Sequence, residues 1–268
     1  MGGAMADTPL LELRNIEKHF AAIQVLRGVN MTVRAGQVTA LVGDNGAGKS
    51  TLIKCLAGIH QLDGGSIVWE GREVSIPNPK TASAIGIEFV YQDLALCNNL
   101  DIVQNMFLGR ERTSGPFLDE ESMEDLARQT LAGLNVTTIR SIRQQVSSLS
   151  GGQRQSVAVA KSVMWNSKLV VLDEPTAALG VAQTAQVLAL VRRLADKGLG
   201  VIIISHNLED VLKVADSIAV LRLGVLVAQP DKDDVSSREL VELITTGRSG
   251  TRFPGTPVAP AASAAAQI

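Results

Sequence analysis

Cysteine is nearly missing from this chain of 268 residues, which has only Cys55 and Cys97. The two fall in unrelated contexts without metal-ligand spacing. A disulfide scaffold is therefore excluded, no zinc site is expected, and both read as plain buried or half-buried thiols. Long apolar runs are missing too. Stretches such as Val201–Ile204 fall far short of the ~18 residues a spanning helix needs, and Met1–Asp7 carries no apolar signal core. The chain is expected to stay in the cytoplasm. No charge of one sign dominates: 25 Lys and Arg against 27 Asp and Glu give a net charge of -2. Without a broad basic surface, no nucleic-acid partner is expected. No internal repeat is visible.

What is present is enough apolar material to fold. Hydrophobic residues make up 46% and charged residues 19%, and the length suits one parallel α/β unit with an insertion. Leu11, Leu13 and Ile16, then Val29, Met31 and Val33, then Ile67 and Trp69 before a Glu70-Gly71 turn, alternate as strands of an antiparallel layer. Within this stretch Val38–Val42 is a continuous apolar run ending in glycine, the pattern of a strand buried on both faces. A helix is predicted from Lys49 to about Leu56, and a strand at Ile87–Tyr91. From about Asp101 to Ser147 the chain turns polar and helical, with Asp119 and Glu120 marking a helix near 118–134. Strands return at Leu169–Leu172 and Val201–Ile204. Between them lies a helix with Val187, Leu190, Val191 and Leu194 on one face and Gly198 as its stop. Such alternation implies parallel strands joined by crossover helices. Ile218–Leu223 and Val225–Ala228 around Gly224 predict a hairpin, followed by a short helix near 237–244. Residues 1–8 are expected to be flexible, and the Pro- and Ala-rich 248–268 a disordered tail.

Two strings carry chemistry on their own. Gly43-Asp44-Asn45-Gly46-Ala47-Gly48-Lys49-Ser50-Thr51 fits G-x-x-x-x-G-K-[ST] between a predicted strand and a predicted helix. Glycines let successive N–H groups turn inward at a helix N-terminus, where the dipole also favours phosphate. Lys49 is expected to meet the β- and γ-phosphates and the Ser50 hydroxyl to ligate Mg²⁺. The second string, Leu169-Val170-Val171-Leu172-Asp173-Glu174, delivers two carboxylates to the end of an apolar strand, where ligands collect in parallel sheets. Neighbouring strand residues point to opposite sides, so Asp173 suits the Mg²⁺ shell and Glu174 the attacking water. These two strings alone fit a kinase, a GTPase or a helicase as well.

Leu149-Ser150-Gly151-Gly152-Gln153 narrows the field, because it resembles the signature motif of the ABC ATPases, and the order of elements matches that family over residues 9–247. The resemblance implies a P-loop NTPase (RecA-like) α/β core, an N-terminal antiparallel β layer and an α-helical subdomain inserted at about 97–160. It implies that ATP with Mg²⁺ is bound and hydrolysed in a head-to-tail homodimer. Ser150 and Gly152, with Gly151 and Gln153 beside them, would reach the γ-phosphate held by the other copy. Gln92 would contact Mg²⁺ and water while sensing the membrane partner, His206 would hold the γ-phosphate and orient water, and Phe20 would stack on adenine. One departure stands out. Where the family commonly reads Ser-Ala-Leu-Asp, this chain has Ala177-Ala178-Leu179-Gly180, without the aspartate that helps join protomers. The strings 175–184 and 205–211 resemble the ATPases of ribose-, xylose- and fructose-type uptake systems. The partners so implied are transmembrane permease subunits and, through them, a solute-binding protein outside the membrane, with the chain docked on its cytoplasmic face. The alternatives are an ABC ATPase of another importer or exporter, or one serving DNA repair or translation. These last would need a coiled-coil insertion or a second ATPase domain, and neither is seen.

Overall fold

A computed structural model describes residues 8–248, so the expectations for 1–8 and 248–268 lie, but for their inner edges, outside the described residues. In chain order the strands and helices are β1 (Leu11–Phe20), β2 (Ile23–Val33), β3 (Val38–Val42), α1 (Lys49–Leu56), β4 (Gly64–Trp69), β5 (Arg72–Val74), α2 (Pro79–Ala84), β6 (Ile87–Val90) and α3 (Ile102–Phe107). There follow β7 (Thr113–Ser114), β8 (Phe117–Leu118), α4 (Glu120–Gly133), α5 (Gly151–Val163), β9 (Leu169–Asp173), α6 (Val181–Asp196), β10 (Gly200–Ile204), α7 (Leu208–Val214), β11 (Ser217–Arg222), β12 (Val225–Ala228) and α8 (Ser237–Thr246).

The main sheet has the order β12-β11-β3-β10-β9-β6, parallel except for the β11–β12 hairpin. Its strands are apolar runs because both faces are covered. Successive side chains sort cleanly between two cores. Leu41, Leu169, Val171, Ile202 and Ile204 face α1 and the antiparallel sheet β2-β1-β4-β5, whereas Val170, Leu172, Val201 and Ile203 face the helices on the other side. The run Val38–Val42 lies at the centre of this sheet, between β11 and β10, and not in the antiparallel layer that surrounds it in sequence. Its buried-both-faces pattern was the correct clue; strand neighbours are set by long-range pairing that periodicity does not carry.

Helix α6 buries Val187, Leu190, Val191 and Leu194 as the periodicity predicts, and Gly198 past its end takes φ +91°. The stretch between β6 and β9 holds α3, α4, α5 and the small β7–β8 hairpin. Parallel pairing has one consequence for function. It brings the C-terminal ends of β6, β9, β10 and β3 to one edge, with Ile204 opposite both Leu41 and Asp173, and Val90 opposite Leu172.

Candidate functional site

At that edge β3 runs straight into the loop 43–48 and then α1. Gly43, Gly46 and Gly48 have φ of +153°, +80° and +106°, which side chains with a Cβ rarely adopt. Gly48 is the N-cap of α1 and has no side chain to bond the helix's first N–H groups. They therefore remain available to an anion. From behind, Gly224 N–H donates to Ala47 O at 2.9 Å, so the β11–β12 turn backs the loop. Lys49 Nζ lies across the loop, donating to Gly43 O at 2.6 Å and Asp44 O at 3.0 Å. Burial pulls its pKa below the usual lysine value, against the opposing pull of Glu174, Asp44 and Asp173. A desolvated ammonium gains much from an arriving phosphate. Ser50 is exposed and Thr51 half-buried on the first turn of α1, and Asp44 and Asn45 are exposed on the loop.

Next to the loop β9 delivers Asp173, half-buried, whose pKa is raised by burial and then by the adjoining Glu174 carboxylate. Such a carboxylate is suited to a cation, which would relieve both effects. Glu174 has φ +50°, an uncommon conformation for a residue before proline, held by its N–H bonding Ile204 O at 2.9 Å. His206, beyond the end of β10, has Nδ1 2.8 Å from Glu174 Oε2. The approach is close but outside hydrogen-bonding alignment, so among the described residues the buried Oε2 accepts no hydrogen bond. His206 itself is exposed, and so is Gln92, two residues past β6. Tyr91 beside it stacks with Phe89 at 6.0 Å, and its pKa is raised by burial and by Asp173.

Phe20 ends β1 with 41% of its surface exposed, so it is not a core residue. His60, which no motif marks, packs edge-on against it at 5.1 Å, and Lys18 Nζ sits 5.5 Å from the ring centre. The hairpin of β11 and β12 was predicted, but its place behind the loop was not, because only tertiary pairing with β3 reveals it.

Ser150 is the N-cap of α5 in a reciprocal capping box. Gln153 N–H donates to Ser150 Oγ at 3.4 Å, and Ser150 N–H to Gln153 Oε1 at 2.9 Å. Gly151 and Gly152 let α6 and the loop before it approach: an added Cβ would meet Leu179 Cδ2 of that loop at 2.9 Å or Gln183 Cβ of α6 at 3.2 Å. The hydrogen bonds of Ser150–Gln153 run within α5 and to Thr138 O. Among the described residues none reaches the glycine loop. The structure thus brings Gly43–Thr51, Asp173, Glu174, His206 and Gln92 to one edge and keeps the Ser150 turn apart.

Comparison with known proteins agrees with this architecture. The ABC transporter family model matches residues 26–177. The xylose/arabinose import ATP-binding protein XylG of Sulfolobus acidocaldarius is 46% identical over 237 residues, covering 88% of this chain and 94% of the relative. The fructose import ATP-binding protein FrcA of Rhizobium meliloti is 41% identical, covering 92% and 98%. An ATP-binding cassette of an ABC transporter, solved in its ADP conformation, superposes with a TM-score of 0.75 at 27% identity, over 89% of this chain and 95% of that one. With a glycine loop, paired carboxylates and a serine-glycine helix start on the matching fold, the chain belongs to the ABC transporter family, of which it forms the ATP-binding cassette.

Proposed function

We propose that this chain is the ATP-binding and hydrolysing subunit of a monosaccharide importer, working as two copies head to tail around two ATP molecules. The observation that carries the catalytic reading is the buried Glu174 Oε2, 2.8 Å from His206 Nδ1, with its carboxylate acting on Lys49 of the glycine loop. The sugar class is supported by the relatives, which import xylose/arabinose and fructose. In this reading residues 9–247 form the ATPase unit, with 97–160 as its inserted helical part.

The loop N–H groups of 43–51 take the phosphates, and Lys49 turns from the Gly43 and Asp44 carbonyls to the β- and γ-oxygens. Phe20 offers its exposed face to adenine. Mg²⁺, held by Ser50, Asp173 and Gln92, would neutralise phosphate charge. Glu174 accepts the proton of the attacking water, a role worth about 10²- to 10⁴-fold, and His206 orients that water. The γ-phosphate is completed in trans. Ser150, with the N–H groups of Gly151 and Gly152, Gln153 behind them and the positive end of α5, comes from the second copy, since among the described residues of one chain that turn makes no bond to the loop. Joint grip on the triphosphate gives closure its differential affinity, which the permease subunits convert into a change of access. The chain would sit peripherally on the cytoplasmic face, bound through those permeases. Among the described residues no helix is long and apolar enough to cross a membrane.

The test is ATPase activity in vesicles containing the chain with its permease subunits, challenged with a solute-binding protein loaded in turn with pentoses, fructose and unrelated solutes. Stimulation by one sugar is expected. Equal rates with every solute would remove the sugar reading, and failure to co-purify with any polytopic membrane protein would remove the transport reading.

A further inference from the structure

Two loops are joined in this fold. Five residues past Gln92 the chain enters Cys97–Asp101. Asn105, wholly buried in α3, grips that segment with its amide. Its Oδ1 accepts from Cys97 N–H at 2.7 Å, and its Nδ2 faces the carbonyls of Cys97 at 2.9 Å, Leu100 at 3.3 Å and Asp101 at 2.9 Å. A buried amide matched so fully to backbone fixes its loop, because any group left unpaired is costly. The same segment bonds the stretch that leads to Ser150. Val146 N–H donates to Leu100 O at 3.0 Å, Ser147 N–H to Asn98 O at 3.1 Å, and Val103 N–H to Ile142 O at 3.4 Å, while Asp101 and Gln145 form an antiparallel bridge.

Arg143 closes the junction. Its Nε lies 2.6 Å from Glu124, Nη1 3.2 Å from Asp101 and Nη2 2.7 Å from Glu120. Asp101 caps α3 with its other oxygen, which accepts from Gln104 N–H at 2.7 Å. One guanidinium thus joins the start of α3, two positions on α4 and the loop before α5. A single exposed ion pair is worth little, but three on a planar fork fix geometry in a way a lysine point charge does not.

We propose that Asn105 and Arg143 are positioning residues that make the segment Cys97–Asp101 and the loop bearing Ser150 one unit, so that Ser150 is held where it completes the partner copy's site. This rests on the reading above that Ser150 acts in trans. Neither residue touches nucleotide in that scheme; both act through the loops they hold.

The test uses the full chain carrying Glu174→Gln, with ATP-driven dimerisation followed by sedimentation during a MgATP titration. Affinity of the dilute protomer for a fluorescent ATP analogue is measured in parallel. Arg143→Met is expected to weaken dimerisation roughly tenfold while analogue affinity stays within about twofold, and Arg143→Lys to recover only part of the loss. Glu120→Gln removes only an exposed partner. It is expected to weaken dimerisation about two- to threefold, and so supplies the answer should Arg143→Met not fold. Unchanged dimerisation in these variants, or analogue affinity falling in step with it, overturns the inference. A Glu174→Gln parent that stays monomeric in MgATP overturns the function beneath it, and the inference with it.

Discussion

Replacing Gly43 with alanine should cost this fold far more than replacing Gly46, although both are loop glycines with positive φ. At Gly46, φ +80°, an added Cβ meets nothing within 4 Å, so the cost is the left-handed backbone alone, about 1 kcal/mol. At Gly43, φ +153°, the same atom would lie 2.1 Å from Leu221 O and 3.2 Å from Ala47 Cβ. That oxygen is backbone of β11 and cannot swing aside, so strand or loop must move. Backbone strain of about 1–3 kcal/mol then adds to overpacking of about 1–3 kcal/mol, for a total of about 3 kcal/mol or more. At about 2–4 °C per kcal/mol for a domain near this size, Gly46→Ala should lower Tm by about 2–4 °C and Gly43→Ala by roughly 6–12 °C. Thermal unfolding followed by circular dichroism measures both, and fluorescent ATP analogue binding should fall at least about tenfold for Gly43→Ala. Equal losses in Tm would refute the claim that β11 sets the shape of the phosphate loop from behind.

Other expectations follow from the same geometry. Asp173 has its folded pKa raised, so the folded state holds that proton more tightly than the unfolded one, and the destabilisation it causes grows as pH climbs from the unfolded value through the folded one. Asp173→Asn should therefore raise the Tm of the nucleotide-free chain at neutral pH, with little gain near pH ~4, while abolishing Mg²⁺-dependent turnover. A lowered Tm at neutral pH would contradict this. Phe20→Ala should weaken ATP binding about five- to tenfold, on about 1–1.5 kcal/mol of lost stacking, and leave Tm nearly unchanged because the ring is exposed. Calorimetric titration with ATP decides it. Gly180 is the N-cap of α6, extended at φ -73°, with open space at its Cβ position and no side-chain cap. Gly180→Asp should raise Tm by about 1–3 °C through capping and the helix dipole, and an unchanged or lower Tm would sink that account.

The sequence made the chemistry of the site easy to read and its mechanics hard. Gly43–Thr51 and Leu169–Glu174 are local strings whose flanking strands and helix are also local, so loop, carboxylates and helix α1 were all legible. So was the face of α6, since Val187, Leu190, Val191 and Leu194 repeat at helical spacing. The place of β3 at the centre of the parallel sheet was not, because its neighbours β10 and β11 lie far along the chain. Strand β5, helix α2 and the β7–β8 hairpin are short and carry too little periodicity to stand out. Asn105 and Arg143 looked like ordinary polar residues of a helical stretch; only tertiary packing buries one wholly and surrounds the other with three carboxylates. His60 acquires meaning only through the ring of Phe20.

The joint grip on triphosphate is tested most directly by sedimentation of the Glu174→Gln chain with MgATP, with MgADP and without nucleotide, each repeated with Ser150→Ala added. The account predicts a dimer with MgATP alone, and a dimer needing at least about ten times more ATP once the Ser150 hydroxyl is gone. A chain of unchanged mass in every condition, or a dimer indifferent to Ser150, would contradict it.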